Sequence, residues 1–372
     1  MLIQVNVQNF KSFNELNSLN MIASNRLRKQ KERLYESDTI SLLKSTVIYG
    51  SNASGKSNFV EVLRFMKECV MNQEIPIESY NWYCRNHEDN KEKISSFSVQ
   101  LLLNEDCYEY GFDAILNTQT IKDEWIVDLN KKKILYQRNN DGKLLNGLNL
   151  GKEDRMRMEI YLDDFLHNDK SLFLTEMNRN KSFDKDVINE LKKNVQKQGQ
   201  ELNLSMRSKK EFFNITMNDN YDLEIKTLCF KHGQSMLDFE FCEESDGTKR
   251  VFDFLDILLN KNQNSVYVID EMERSLHPNL FNRLIELLNE YQKQSNIQVI
   301  FTTHESSIMK QDLFRRDQIW FIERNKDNGS RIYSLDTFNE RFDKKISKAY
   351  LEGRYGAIPQ FKSLHINELE QL

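Results

Sequence analysis

The sequence predicts an α/β fold in which a phosphate-binding loop is built into a mixed sheet, with an antiparallel β subdomain and a helical insertion added to it. Three observations point there. Gly50-Ser51-Asn52-Ala53-Ser54-Gly55-Lys56-Ser57 fits G-x-x-x-x-G-K-[ST] and lies between an apolar run, Ser45–Tyr49, and a stretch with helical apolar spacing, Asn58–Val70. From Leu223 onward, apolar strands alternate with amphipathic helices, the pattern of a mostly parallel sheet. Between these, residues 97–136 alternate in twos, as antiparallel strands do.

Taken in order, Leu2, Val5, Val7 and Phe10 mark an opening strand, and Asn9-Phe10-Lys11-Ser12-Phe13 follows it. A basic cluster comes next: Arg26, Arg28, Lys29, Lys31 and Arg33. It reads as a solvated face, with a nucleic-acid contact as the competing reading. After the phosphate loop and its helix (Phe59, Val62, Leu63, Phe65 and Met66 on one side), strands are expected over 97–103, 108–115, 121–129 and 133–136. Asn117-Thr118 and Asn139-Asn140-Asp141-Gly142 supply turn chemistry. Residues 150–212 turn rich in Lys, Asn, Asp and Glu and read as helical. There Val187, Leu191 and Val195 form a narrow stripe that fits either a protruding hairpin needing a partner or a surface helix packed on its own domain. Strands at 237–241, 265–269, 297–302 and 318–323 then alternate with helices at 248–259 and 277–292. The expected division is an N-terminal part over 1–139, a mainly helical insertion over 140–222 and a C-terminal part over 223–372.

Composition narrows the classes. Hydrophobic residues make up 39% and charged residues 29%, enough for a core in a water-soluble chain of 372 residues. The net charge of −5 disfavours nucleic-acid binding by the whole surface and leaves a local basic groove open. The five cysteines (69, 84, 107, 229 and 242) form no C-x-x-C pair, so zinc is not expected and reduced thiols in a cytoplasmic protein are. Met1 leads directly into a strand and no apolar run is long enough to span a bilayer, so neither a leader peptide nor a membrane partner is expected.

The chemistry concentrates at four places. Loop amides and the helix N-terminus at Gly50–Ser57 present partial positive charge to polyphosphate. Lys56 is placed to reach the β- and γ-phosphates, Ser57 to hold Mg²⁺, and Asn58 continues the nucleotide-binding stretch. Val266-Tyr267-Val268-Ile269 ends in Asp270-Glu271: the first acid is placed beside the phosphate loop as a Mg²⁺ ligand, the second to polarise an attacking water. Val299-Ile300-Phe301-Thr302-Thr303 ends in His304, one strand beyond the acids, where it can sense a γ-phosphate. Ser245-Asp246-Gly247-Thr248 opens a helix and makes a second anion site. Because each chain already has its own phosphate loop, that second site best serves a neighbour's nucleotide, in a head-to-tail dimer with ATP between the subunits.

This order resembles that of the ABC-class ATPases, least the transporter ATPases and most the SMC/RecF/OLD branch. Further stretches sharpen the likeness: Asn9 to Phe13, Glu244 to Arg250, Asp270 to Pro278, Arg316 to Phe321, and Tyr350 to Pro359. Together they resemble the RloA-like AAA-family ATPases, relatives of the ATPase subunits of the PARIS, Septu and abortive-infection phage-defence systems. The likeness runs from residue 1 to about 360 and is weakest across 140–220. It implies an ABC-type ATPase head using ATP and Mg²⁺, with Gly50–Ser57 as Walker A and Asp270 with Glu271 as Walker B and catalytic glutamate. It implies that Ser245, Gly247 and Thr248 form a signature acting in trans, that Leu276-His277-Pro278 forms the D-loop, and that His304 is the switch histidine. Lys11 falls where the branch's N-terminal motif approaches the base or ribose. Asp246 departs from the usual signature glycine and sets a carboxylate near polyphosphate. For the glutamine that completes the Mg²⁺ shell, Gln100 and the 175–178 region are the candidates.

The expected activity is ATP hydrolysis coupled to closure of a homodimer or higher homo-oligomer. The resemblance further implies a sensor or scaffold controlling a separately encoded effector such as a nuclease. No Glu…Asp-x-Asp set of a fused TOPRIM nuclease follows His304. The alternative is a DNA-repair or chromosome-maintenance ATPase of RecF/SMC type that binds DNA directly, so nucleic acid stays open as a partner. A GTPase switch is disfavoured, since Asn325-Lys326-Asp327 lacks the Asn-Lys-x-Asp spacing.

Overall fold

The structure, a computed structural model, describes residues 1–72, 74–103, 105–139, 144–146, 152, 156, 169–173, 213–217, 223–227, 229–231, 238–259, 265–325, 327, 329–338 and 346–358. The N-terminal elements are β1 (Leu2–Gln8), β2 (Asn17–Asn20), β3 (Leu34–Glu36), β4 (Ser41–Leu43), β5 (Ser45–Tyr49) and α1 (Lys56–Asn72). There follow β6 (Ser95–Leu103), β7 (Asp106–Ile115), β8 (Thr120–Asp128), β9 (Lys133–Asn139) and β10 (Leu144–Asn146). Next come β11 (Phe213–Met217), β12 (Leu223–Thr227), β13 (Cys229–Lys231) and β14 (Asp238–Glu240). The chain continues through α2 (Asp246–Leu259), β15 (Val266–Ile269), α3 (Pro278–Gln292), β16 (Gln298–Thr303), β17 (Ile319–Arg324), β18 (Ser330–Ser334) and α4 (Ile346–Leu351).

Two large sheets carry the fold. One is mixed and five-stranded, in the order β15-β16-β5-β17-β18. Its first four strands are parallel and β18 is antiparallel to β17. β5 is central and every one of its residues is buried, as its uninterrupted Ser-Thr-Val-Ile-Tyr run requires of a strand covered on both faces. The other sheet is antiparallel and seven-stranded, in the order β10-β9-β8-β7-β6-β1-β2. The predicted α/β class, with a mixed sheet and an antiparallel subdomain, is therefore the one observed.

α1 lies between the two sheets. Its buried face (Phe59, Val62, Leu63, Phe65, Met66, Cys69) joins one core with side chains of both. Phe65 meets Phe10, Phe97 and Phe112 at centroid distances of 5.2, 4.9 and 6.3 Å. Burying each such ring stabilises the helix position by about 1.5–3 kcal/mol. A second core forms on the opposite face of the mixed sheet. There Phe254 and Ile257 of α2, Phe281, Leu284, Ile285 and Leu288 of α3, and Ile346, Ala349 and Tyr350 of α4 cover Val47, Tyr49, Val299 and Phe301.

Several element boundaries move. α1 begins at Lys56 rather than Asn58, because the last residues of the phosphate loop already adopt the helix's first turn. α2 begins at Asp246 rather than Thr248, with the Ser245 hydroxyl accepting from the Thr248 amide at 3.1 Å. β11 to β13 have no predicted counterpart, and β10 and β11 fall within the 140–222 span expected to be mainly helical. The stripe at Val187, Leu191 and Val195 lies outside the described residues, as does most of that insertion. The basic cluster forms a loop held by its backbone: the Arg315 guanidinium donates to the carbonyls of Leu27 and Lys29, and Asp317 accepts from the Ser24 amide.

Candidate functional site

Because β5, β15, β16 and β17 run parallel, their C-terminal ends share one edge, where the predicted chemistry collects. β5 delivers the phosphate loop. Ala53 (φ 60°) and Gly55 (φ 112°) turn the backbone through the left-handed region. A Cβ on Gly55 would meet Ser330 Oγ at 2.2 Å and Ser12 Oγ at 2.7 Å, so only glycine fits there. The rim of the loop is fixed from outside. Ser330 Oγ donates to the Ser54 carbonyl at 2.5 Å, Arg324 Nε to the Ala53 carbonyl at 2.8 Å, and Asn58 Nδ2 to Ser12 Oγ at 2.8 Å. Asn52, Ala53 and Ser57 remain exposed toward the side a ligand would approach, whereas Ser54, Gly55 and Lys56 are buried.

Lys56 donates to the carbonyls of Gly50 and Ser51, at 2.8 and 3.1 Å, lying back along the loop it serves. Burial pushes its ammonium down to about 8, against the partial restoring pull of Asp270, Glu273 and Glu271. Lys56 is thus a buried ammonium whose hydrogen-bond partners among the described residues are backbone carbonyls of its own loop, with the carboxylates acting on it only through their charge.

The acidic strand end is one strand further away than the sequence suggested. β16, not β15, pairs with β5, so His304 flanks the phosphate loop and Asp270-Glu271 lies beyond it. Thr302 bridges the gap: its hydroxyl donates to Asp270 Oδ1 at 2.5 Å and accepts the Glu271 amide at 2.8 Å, and its carbonyl accepts the Met272 amide. Glu271 adopts φ 45°, a left-handed conformation that re-aims its side chain, which pairs with Arg274 at 3.5 Å.

His304 is exposed. Desolvation and then the Lys56 charge hold its imidazole below the usual histidine range, opposed by Glu273, Glu271 and Asp270. Its backbone amide donates to Glu273 Oε1 at 2.6 Å. Lys56, Asp270, Glu271, Glu273 and His304 therefore act as one electrostatic cluster.

The helix start at Ser245 packs on the same edge of its own chain. A Cβ on Gly247 would sit 2.9 Å from the Ser275 carbonyl, so glycine permits the approach to the predicted D-loop. The Arg250 guanidinium on α2 donates to the carbonyls of Asp270 (3.1 Å), Glu271 (2.9 Å) and Met272 (3.3 Å), and pairs with Asp253. Ser245, Asp246 and His277 are exposed while Leu276 packs against the core, and the His277 ring accepts the Asn279 amide to cap α3.

Lys11 sits at φ 50°, pairs with Glu61 at 3.2 Å and lies 4.2 Å from the Trp82 ring centroid. Its neighbour Ser12 touches the phosphate loop. Gln100 is engaged by Glu109 at 2.7 Å on the antiparallel sheet, and 175–178 lies outside the described residues. Sequence reading missed Thr302, Glu273, Arg250, Ser12, Arg324 and Ser330. Ser12, Arg250, Glu273 and Thr302 lie within motif stretches the sequence singled out, which is the signal they carried, though no role was assigned to them; Arg324 and Ser330 carried none.

Among the described residues no group of three or more His, Cys, Asp or Glu side chains could by itself hold a metal ion. Ser57 is exposed in the first turn of α1 and Asp270 is half-buried directly after β15, so a hydroxyl and a carboxylate, both hard oxygen donors, stand at this edge. No helix among the described residues is long and apolar enough to cross a membrane.

A family model described as "AAA domain, putative AbiEii toxin, Type IV TA system" matches residues 45–310. No curated protein matches the sequence. Solved structures that resemble the chain include an SMC head bound to the C-terminal winged-helix domain of ScpA. It shows 14% identity and a TM-score of 0.47, covering 94% of this chain and 99% of that one. The SMC head domain from Thermotoga maritima shows 14% identity and a TM-score of 0.40, covering 90% and 98%. An Smc head with an extended coiled coil, bound to the C-terminal domain of ScpA from Pyrococcus furiosus, shows 14% identity and a TM-score of 0.46, covering 95% and 98%.

Proposed function

The chain belongs to this AAA-domain family, and on that premise we propose that it binds and hydrolyses ATP at the shared edge of β5, β15 and β16. The observation that carries the reading is the convergence there of a glycine-turned loop, a buried lysine held at about 8, two strand-end carboxylates and a histidine. The loop amides and Lys56 bind and orient the polyphosphate. Glu271 takes the role of orienting the attacking water, and His304 senses the γ-phosphate. Ser57 and Asp270 would hold Mg²⁺, which when bound neutralises phosphate charge.

In this reading Ser245, Gly247 and Thr248 of one protomer close over the nucleotide of another, with Leu276 and His277 at the same junction. ATP binding then closes the assembly and hydrolysis opens it. The exposure of the Ser245 turn, docked on its own acidic loop through Arg250, supports that arrangement. Purified protein should release phosphate from Mg-ATP and shift to a dimer or larger species with a slowly hydrolysed analogue. Absence of both ATP binding and phosphate release would overturn the assignment.

We further infer that the ATPase serves as sensor or scaffold of an anti-phage defence complex, controlling a separately encoded effector, a nuclease being the first candidate. The family description, with its toxin and type IV toxin–antitoxin system, supports this context. Isolation from the native source should retain the product of an adjacent gene; recovery of the protein alone, beside unrelated genes, would remove the basis for it. One observation favours direct DNA binding instead: Arg26, Arg28, Lys29 and Lys31 are exposed on a loop pinned by the buried Arg315–Asp317 pair. DNA-stimulated, strongly salt-dependent ATPase activity would select that reading.

A further inference from the structure

We propose that Glu273 is a positioning residue: its carboxylate ties the acidic loop after β15 to the backbone of the switch histidine after β16. The two loops leave adjacent parallel strands, and β15 and β16 hold each other only up to the pair Ile269–Phe301. Beyond that point one backbone bond remains among the described residues, from the Met272 amide to the Thr302 carbonyl, and side chains supply the rest. Thr302 secures Asp270 and the amide of Glu271, and Glu273 Oε1 then accepts the His304 amide at 2.6 Å. The charge-assisted bond to a backbone N–H is of the stronger kind, and it fixes a peptide plane rather than a mobile ring.

The surroundings suit a mechanical link. Met272, directly before Glu273, is buried in the second core and its amide is bonded to the Thr302 carbonyl, so the carboxylate projects from an anchored backbone. The other oxygen, Glu273 Oε2, is buried without a hydrogen bond among the described residues, and the negative charge is felt by Lys56, His304 and Tyr49. A carboxylate serving only local packing would be expected to use both oxygens, because leaving a buried acceptor unsatisfied costs free energy. Here one oxygen is committed to the histidine's backbone and the other stays within reach of the phosphate loop's charge. Movement of the acidic loop is thereby transmitted to His304, and movement of His304 to the acidic loop.

The inference rests on the ATPase reading for its kinetic consequence but not for its structural one, and the test separates the two. Glu273→Ala and Glu273→Gln are compared for kcat, KM and ATP affinity, and for hydrogen–deuterium exchange at the His304 amide. Glu273→Ala should lower kcat by roughly tenfold or more, with ATP affinity within about threefold of the starting protein. It should also raise exchange at the His304 amide by about tenfold. Glu273→Gln keeps a carbonyl oxygen at the same reach and should restore both to within about threefold. In a His304→Ala background the Glu273→Ala change should add no further loss of kcat, since the two act as one unit. Should Glu273→Ala not fold, Glu273→Asp withdraws the oxygen without removing the charge and serves in its place. Unchanged exchange in Glu273→Ala, failure of Gln to rescue it, or additive losses with His304→Ala would overturn the proposal. A starting protein that releases no phosphate would instead overturn the ATPase reading, and the exchange comparison would still decide whether Glu273 holds His304.

Discussion

The Thr302 hydroxyl and the Asp270 carboxylate lie 2.5 Å apart across β16 and β15, and the same hydroxyl accepts the Glu271 amide. One side chain therefore sets the positions of both acids against the strand that flanks the phosphate loop. Thr302→Val preserves shape and removes both bonds. It should cost about 1–3 kcal/mol of stability and lower phosphate release by roughly tenfold or more, with Thr302→Ser close to the starting protein. Thermal unfolding and steady-state turnover check this.

Glu271→Gln should bind ATP, hydrolyse it at least about a hundredfold more slowly, and accumulate a closed dimer or larger assembly with ATP present. Size-exclusion chromatography with light scattering, beside a phosphate-release assay, makes the comparison. Turnover at the starting rate would remove Glu271 from the catalytic role.

Gly55→Ala combines a strained φ of 112° with a Cβ 2.2 Å from Ser330 Oγ. Conformational strain of about 1–3 kcal/mol is expected, with loss of nucleotide binding. Ser330→Gly in the same chain relieves the contact but not the φ, so it should recover binding only in part. Fluorescent-nucleotide titration separates the two contributions.

Lys56, held at about 8 against an ordinary 10.5, gives a pH signature of known sign. Between these values the unfolded chain binds more protons than the folded one, so this lysine's contribution to stability rises with pH through that window. Bound polyphosphate restores the charged form. ATP binding should therefore take up about one proton per site near pH 9 and much less near pH 7. Calorimetry in two buffers of different ionisation enthalpy measures the uptake, and Lys56→Met, if it binds at all, should show none of it.

Arg250→Ala removes the donors that join α2 to the carbonyls of residues 270–272. ATP affinity should hold within about threefold while turnover and ATP-dependent assembly fall by roughly tenfold, because the link between the Ser245 turn and the acidic loop is lost. Arg250→Lys, a point donor without the guanidinium fork, should recover little.

Much of this was legible in the sequence, for local reasons. Gly50–Ser57 carries its own turn chemistry, and β5, β15 and β16 are apolar runs that end at polar residues. The antiparallel strands showed their period of two. Less legible was whatever depends on which strands become neighbours. Pattern gave the strand ends but not the insertion of β16 between β5 and β15, so the acids were expected a strand closer to the loop than they are. Thr302, Glu273 and Arg250 matter because of partners from other segments, and no spacing rule announces that. β11 and β12 do alternate (Phe213, Ile215 and Met217; Leu223 and Ile225), but they adjoin the polar stretch read as helical, and β13 and β14 are three residues each, too short to show a period.

The clasp on the phosphate loop has a consequence for biosynthesis. Ser330 and Ser54, whose contact closes the rim, are 276 residues apart, and both strands flanking β5 also come from the later part of the chain. A nascent chain that has emerged through α1, or even through β10, carries the full glycine-rich motif but not its walls. Such contacts between distant segments form late in folding. Nucleotide capture should therefore begin only after the β17–β18 hairpin has left the ribosome, which ribosome-bound chains stalled before and after residue 334 can show. A protein whose closed form triggers a downstream response would, by this ordering, be unable to signal before its own synthesis is nearly finished.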